Sequence, residues 1–203
     1  MSEQQDNKSV EAATEKNTDN TKVSDSLDIA LASLKAVIMT LDPKPQQILS
    51  AWITRWGNFL KREKGFDPEF MPFFKRGDIV YVDLGFNVGS EHGGVHYAVI
   101  YENNNSRRSK TVVVIPLSSV ADKANTASVD IYLGENVVPW TPGVKTIAKP
   151  SQIRAISKMR ILKPLTASDS KVKMSAAHMD TIDYRLSELL LKPPAKSPTN
   201  SKK

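Results

Sequence analysis

No cysteine occurs among the 203 residues. That excludes disulfide frameworks, thiolate zinc sites and cysteine nucleophiles. No apolar run approaches the roughly 18 residues of a membrane span. The N-terminus, MSEQQDNKSVEAATEKNTDN, lacks the basic-then-apolar order of a secretory signal. The expected setting is the cytoplasm, with no membrane partner. No compact Asp/Glu/His cluster with metal-ligand spacing is visible, so no metal or other cofactor is expected, and metal-dependent nucleases are disfavoured. No internal repeat is present. The chain is long enough to bury a core without staples, and one domain with appendages is the natural expectation.

What is present is charge, unevenly spread. The formal net charge is +6. Residues 1–25 hold six acids against three lysines, a net of −3, which leaves +9 for the rest. A basic body with an acidic leader suits a polyanion such as RNA or DNA.

Residues 1–24 are polar and poor in aromatic and β-branched apolar side chains, and are expected to be disordered. Residues 25–74 read as a helical extension and linker. Leu27, Ala30, Leu31, Leu34, Ile38 and Leu41 recur at helical spacing. Asp42-Pro43 then opens a second helix running to about Lys64, with Ile48, Leu49, Trp52, Ile53, Trp56, Phe59 and Leu60 as its apolar residues. Such a pair packs on its own domain or forms a dimer seam. Flanking Arg55, Lys61, Arg62 and Lys64 make a membrane-surface role the lesser reading. From Lys75 the pattern becomes β. Strands are expected at Asp78–Leu84, Val95–Tyr101, Thr111–Pro116, Val129–Leu133, Val144–Ala148 and Gln152–Ile156, separated by Asn- and Gly-bearing turns. A last helix is expected over about Ser168–Leu191, closing a domain at 75–191. The tail, 192–203, is basic, Ser/Pro-rich and expected to be unstructured.

The chemistry-bearing residues cluster in four places. The first is the loop Gly89-Ser90-Glu91-His92-Gly93-Gly94, between two strands and followed by His96. Its small side chains let a ligand reach backbone N–H groups. A carboxylate beside two imidazoles can move protons near neutral pH. The second is His96 itself, at a strand start. The third is Ser118-Ser119, ending the apolar run Val113–Leu117. Ser118 sits in no G-x-S-x-G elbow, so it is not read as a hydrolase nucleophile. The fourth is Ser151-Gln152-Ile153-Arg154-Ala155-Ile156. Alternation puts Gln152 and Arg154 on one face, where an amide can read a base edge and a guanidinium can hold phosphate.

Taken in order, these segments resemble the PemK/MazF toxins, over about Arg76–Leu190. The G-S-E-x-G-G loop, the strand ending in Ser118 and the Q-I-R string carry the resemblance. It implies a mainly β protein with helices: a small Src-homology-3-like barrel (the PemK/MazF/CcdB barrel) with a C-terminal helix, here with an N-terminal helical extension. It further implies a toxin that cuts single-stranded RNA without metal through 2′-OH attack, a cognate antitoxin partner and a homodimer. The implied catalytic residues are Glu91, His96, Ser118 and Arg154. Ser90, His92, Gly93, Gly94, Ser119 and Gln152 are the implied RNA-binding residues. One departure matters. The family's usual arginine is replaced by His96, a weaker permanent cation but a better proton carrier. Two other readings remain: a catalytically weak barrel that binds RNA or a protein, and a CcdB-like topoisomerase poison.

Overall fold

The structure is a computed structural model that describes residues 22–121, 128–138, 142–166 and 169–191. The chain divides into two compact units between Trp56 and Gly57. That division falls inside the second helix rather than at the boundary expected near 74.

In the first unit, helix α1 covers residues 22–39. It reaches three residues further toward the N-terminus than the expected disordered leader allows. Helix α2 is Pro43–Glu63. Asp42 accepts from the Gln46 backbone N–H, and Lys61 and Arg62 lie in the last turn, where cations complement the helix dipole. No residue of α2 is buried. Leu27, Leu31, Leu34, Val37, Trp56 and Leu60 are all exposed.

The second unit holds eight strands among the described residues: β1 (Asp78–Asp83), β2 (Val95–Ile100), β3 (Thr111–Ser119), β4 (Ile131–Glu135), β5 (Lys145–Ala148), β6 (Arg154–Ser157), β7 (Ile161–Lys163) and β8 (Val172–Lys173). All pairings are antiparallel, in the order β4-β5-β3-β2-β1-β7, with β6 also on β3 and β8 also on β1. β3 organises the curl. Its first half pairs with β6 and its last three residues pair with β5. The changeover falls at Pro116, which lacks an N–H for the ladder while its carbonyl accepts from the Lys149 N–H.

Strand alternation separates two apolar layers. Ile79, Val99, Ile115 and Leu117 face helix α3 (Ala176–Leu190) and pack with its Met179, Ile182 and Leu186. Val80, Val82, Ala98, Ile100, Val112 and Val114 form the other layer with Phe74, Ile156 and Ile161. Burial of each such side chain stabilises by roughly 1.5–3 kcal/mol. The result is the expected barrel-like β fold with a C-terminal helix.

Four elements differ from expectation. β7 and β8 are strands that the sequence pattern did not suggest. Helix α3 starts at Ala176, not near 168, because Val172 pairs with Ile79 in the sheet and Ser175 caps the helix by accepting from the His178 N–H. Gln152 closes a short 3-10 turn, Pro150–Gln152, and the strand begins only at Arg154. The expected tail, 192–203, lies outside the described residues.

Candidate active site

The β1–β2 connection sets the site's position. The Leu84 N–H donates to the Gly94 carbonyl and the Gly94 N–H to the Gly85 carbonyl, 2.8 and 2.6 Å. Asn87 Nδ2 donates to the His92 carbonyl at 2.8 Å. Gly93 is required by space, since a Cβ there would stand 2.8 Å from the Gly85 carbonyl oxygen. The loop is thereby folded back so that His92 leans over the start of β2.

The imidazoles of His92 and His96 lie with ring centroids 4.2 Å apart, tilted by 43°. The His92 N–H donates to Gln152 Oε1 at 3.0 Å. The same oxygen accepts from Arg154 Nη2 at 3.0 Å. One amide, sixty residues along the chain from His92, therefore ties the loop to a guanidinium brought in by β6. Register places the remaining candidate. His96 shares a face with Ala98, which pairs with Pro116, and Pro116 shares its face with Ser118. Arg154 pairs with Val114 on that same face. By register, His96, Ser118 and Arg154 thus belong to one side of the sheet.

Others fall outside this group. Glu91 and Ser90 are exposed at the loop tip, where the Glu91 N–H donates to the Val88 carbonyl. Ser119, one residue beyond Ser118, points by alternation to the opposite face. Gly93 and Gly94 shape the loop, Gly94 with φ +84°.

Electrostatics bear on both rings. His92 is pushed down to about 4, first by burial, then by His96, Lys149 and Arg154, with Asp130 opposing. Its buried Nε2 has no hydrogen-bond partner. His96 is also lowered, chiefly by burial; a hydrogen bond to the Gly93 backbone opposes this and Lys149 adds to it. Lys149 is held by Asp130 at 2.9 Å, the aspartate side chain being 4% exposed. Arg160 donates to the Asp83 carbonyl, and burial holds it below the ordinary arginine value, with Asp83 opposing. The sequence reading missed Lys149, Asp130 and Arg160. Position beside the Q-I-R string was the one signal for Lys149. Among the described residues no group of three or more His, Asp or Glu could hold a metal ion.

The family model for PemK-like, MazF-like toxins of type II toxin–antitoxin systems matches residues 75–190. This chain belongs to that family. The PemK-like match takes in the whole barrel and α3, and leaves out the helical extension. Among curated relatives, an endoribonuclease MazF of Staphylococcus saprophyticus is 27% identical over 100 residues, covering 49% of this chain and 82% of the relative. An endoribonuclease MazF of Staphylococcus epidermidis is 28% identical over 99 residues, covering 48% and 81%. A crystal structure of MazF from Deinococcus radiodurans aligns at 16% identity with a TM-score of 0.44, over 60% of this chain and 97% of that one.

Proposed function

We propose that this PemK/MazF-type barrel is a metal-independent endoribonuclease toxin acting on single-stranded RNA. The observation that carries the reading is the Gln152 amide oxygen, which accepts from Arg154 and from the backbone N–H of His92, the residue whose ring lies against that of His96. Proton carriers and a permanent cation meet there on the glycine loop, in a family whose curated relatives are endoribonucleases.

In the proposed reaction the 2′-oxygen attacks the adjacent phosphorus and the bond from phosphorus to the 5′-oxygen breaks. Both imidazoles are depressed below their ordinary value, so at pH 7 they are neutral and able to take the 2′-OH proton. The ring that gains the proton becomes the acid that returns it to the leaving 5′-oxygen, directly or through its neighbour. Arg154 stabilises charge on the phosphoryl oxygens, and Ser118 positions the phosphate. Glu91, exposed at the loop tip, is not needed in this scheme. A cytoplasmic setting, a cognate antitoxin and a homodimer are proposed with it, on family membership. A second reading, a barrel that binds RNA and does not cut it, is favoured by one observation: His96 stands where the family's arginine is usual.

The test is cleavage of single-stranded RNA in EDTA, with product ends analysed. The expected ends are 2′,3′-cyclic phosphate and 5′-hydroxyl. His96→Ala should lower the rate by on the order of 10²–10⁴ with RNA affinity nearly unchanged, and His96→Arg should retain activity. The wild-type rate should be flat above about pH 6.5 and fall in acid, where a histidine base is protonated. A requirement for Mg²⁺, or 5′-phosphate ends, would overturn the mechanism. RNA bound but uncut would select the second reading.

A further inference from the structure

The helical hairpin carries more apolar surface than two helices can hide from water between them. Gln46 Nε2 donates to the Leu41 carbonyl at 2.7 Å, closing the turn from α1 to α2. Between the helices runs a groove of about 740 Å³, lined by Leu31, Leu34, Ile38 and Met39 of α1 and by Ala51 and Ile53 of α2. Gln, Ser and Thr side chains complete its walls, and among the described residues lining it Lys35 alone is charged. Leu27, Leu31 and Leu34 are 55, 50 and 43% exposed. They recur three and four residues apart, which puts them on one face of α1. An apolar helix face of this width is stable only when packed on another element.

We propose that this groove is covered by the hairpin of a second copy of the chain, the two α1 helices lying antiparallel within a four-helix bundle. Self-complementary charge selects that occupant. Asp28 and Lys35 are seven residues apart, so they share one side of α1 and border the leucine stripe. A two-fold axis passing near residues 31 and 32 sets Asp28 of each copy beside Lys35 of the other. The match occurs twice per dimer, as an interface of one surface with itself requires. It also brings to Lys35 the acid that the groove lining lacks. Ser50, Ala51 and Thr54 of α2 are small enough to let the incoming helix approach closely. A helix seated along the groove removes on the order of 700 Å² from each copy, or about 1,400 Å² in all, within the range of specific, stable interfaces. A lipid surface fits less well. α1 carries two acids and two lysines, so it has no net charge to draw it to anionic headgroups. The contact lies outside residues 75–190, which the family model matches. It is therefore additional to any pairing of barrels and independent of RNA cleavage.

The experiment uses the full chain, which has no cysteine of its own, so introduced thiols report alone. Asp28→Cys combined with Lys35→Cys should give a chain-to-chain disulfide under mild oxidation, held together by the apolar contact that remains. Within one helix the two positions stand about 10.5 Å apart along the axis, too far to bridge. Ile29→Cys combined with Ala36→Cys has the same spacing on the opposite side of α1 and should give none. Adding Leu31→Asp to the first pair should lower cross-linking at least fivefold. The near-ultraviolet circular dichroism of the Tyr81–Tyr97 ring pair, 4.8 Å between centroids, should not change, which shows that the barrel is intact. Charge swaps give a second readout. Asp28→Lys and Lys35→Asp each set like charges face to face, so differently tagged chains of the two variants, once mixed, should form mixed pairs well above the statistical proportion. Mixed pairs in statistical proportion, or equal cross-linking through both cysteine pairs, would overturn the inference. So would the absence of any cross-link; if phosphatidylglycerol vesicles then bind the chain and Leu31→Asp abolishes that binding, the groove belongs to a lipid surface instead.

Discussion

Protonating His92 would put a cation beside His96, Lys149 and Arg154 in a half-buried place that already disfavours charge. The consequence for stability has a definite sign. The folded pKa is depressed to about 4 from 6.5, so between those values the unfolded chain binds more protons than the folded one. Stability from this group is complete above about pH 6.5 and is lost as pH falls toward 4. His96 is lowered too and acts in the same direction. His92→Gln should therefore flatten, without abolishing, the acid side of a plot of urea midpoint against pH. Equal slopes in the two proteins would reject the assignment. The types and spacing of His92, His96, Gln152 and Arg154 were legible in the sequence, because each lies in a short string with a recognisable order. The split between Ser118 and Ser119 was legible in principle from alternation alone. The Lys149–Asp130 pair was not, since it joins β5's exit to a turn nineteen residues earlier and no local pattern marks it.

At the scale of elements, the β1–β2 loop is held by backbone contact at Gly93. Gly93→Ala would drive a methyl group against the Gly85 carbonyl oxygen, itself bonded to the Gly94 N–H. The backbone must move, at a cost of about 1–3 kcal/mol, and the His92–Gln152 bond should go with it. Gly89→Ala is the control. Its φ is +56° but nothing lies within 4 Å of the added Cβ, so its cost should be nearer 1 kcal/mol. Denaturation of the two variants and the His92 ring signal would check this; similar costs for both would reject the steric argument. The long central strands were readable because each spans several alternations. β7, with three residues, and β8, with two, are too short to show a period. They form because β1 offers partners on its free edge. Val172 and Met174 look helical by spacing to α3, yet pairing to β1 claims Val172 and a backbone bond from the Met174 N–H to the Gly77 carbonyl fixes the next turn.

For the whole molecule, both apolar layers of the second unit are built from residues between Phe74 and Leu186, with Met71 packed at the margin. None comes from α1 or α2. A chain lacking residues 1–64 should therefore still unfold in one cooperative transition, with the His92–His96 contact intact by NMR. A truncated chain that is molten or aggregates would show that the barrel depends on the extension. The two-unit division was only half visible in the sequence. Helical periodicity gave the hairpin of α1 and α2, but the composition change near Lys75 suggested a boundary later than the one contacts define.

Trp52 and Trp56 both lie on α2, and the third tryptophan, Trp140, lies outside the described residues. Indole emission from α2 thus reports on the helical arm. A fluorescence-monitored denaturation curve of the intact chain will carry a large contribution from loss of α2, at whatever denaturant concentration that occurs. The barrel's own transition is better followed through the Tyr81–Tyr97 pair in near-ultraviolet circular dichroism, and disagreement between the two optical curves would be the spectroscopic signature of two units that melt separately.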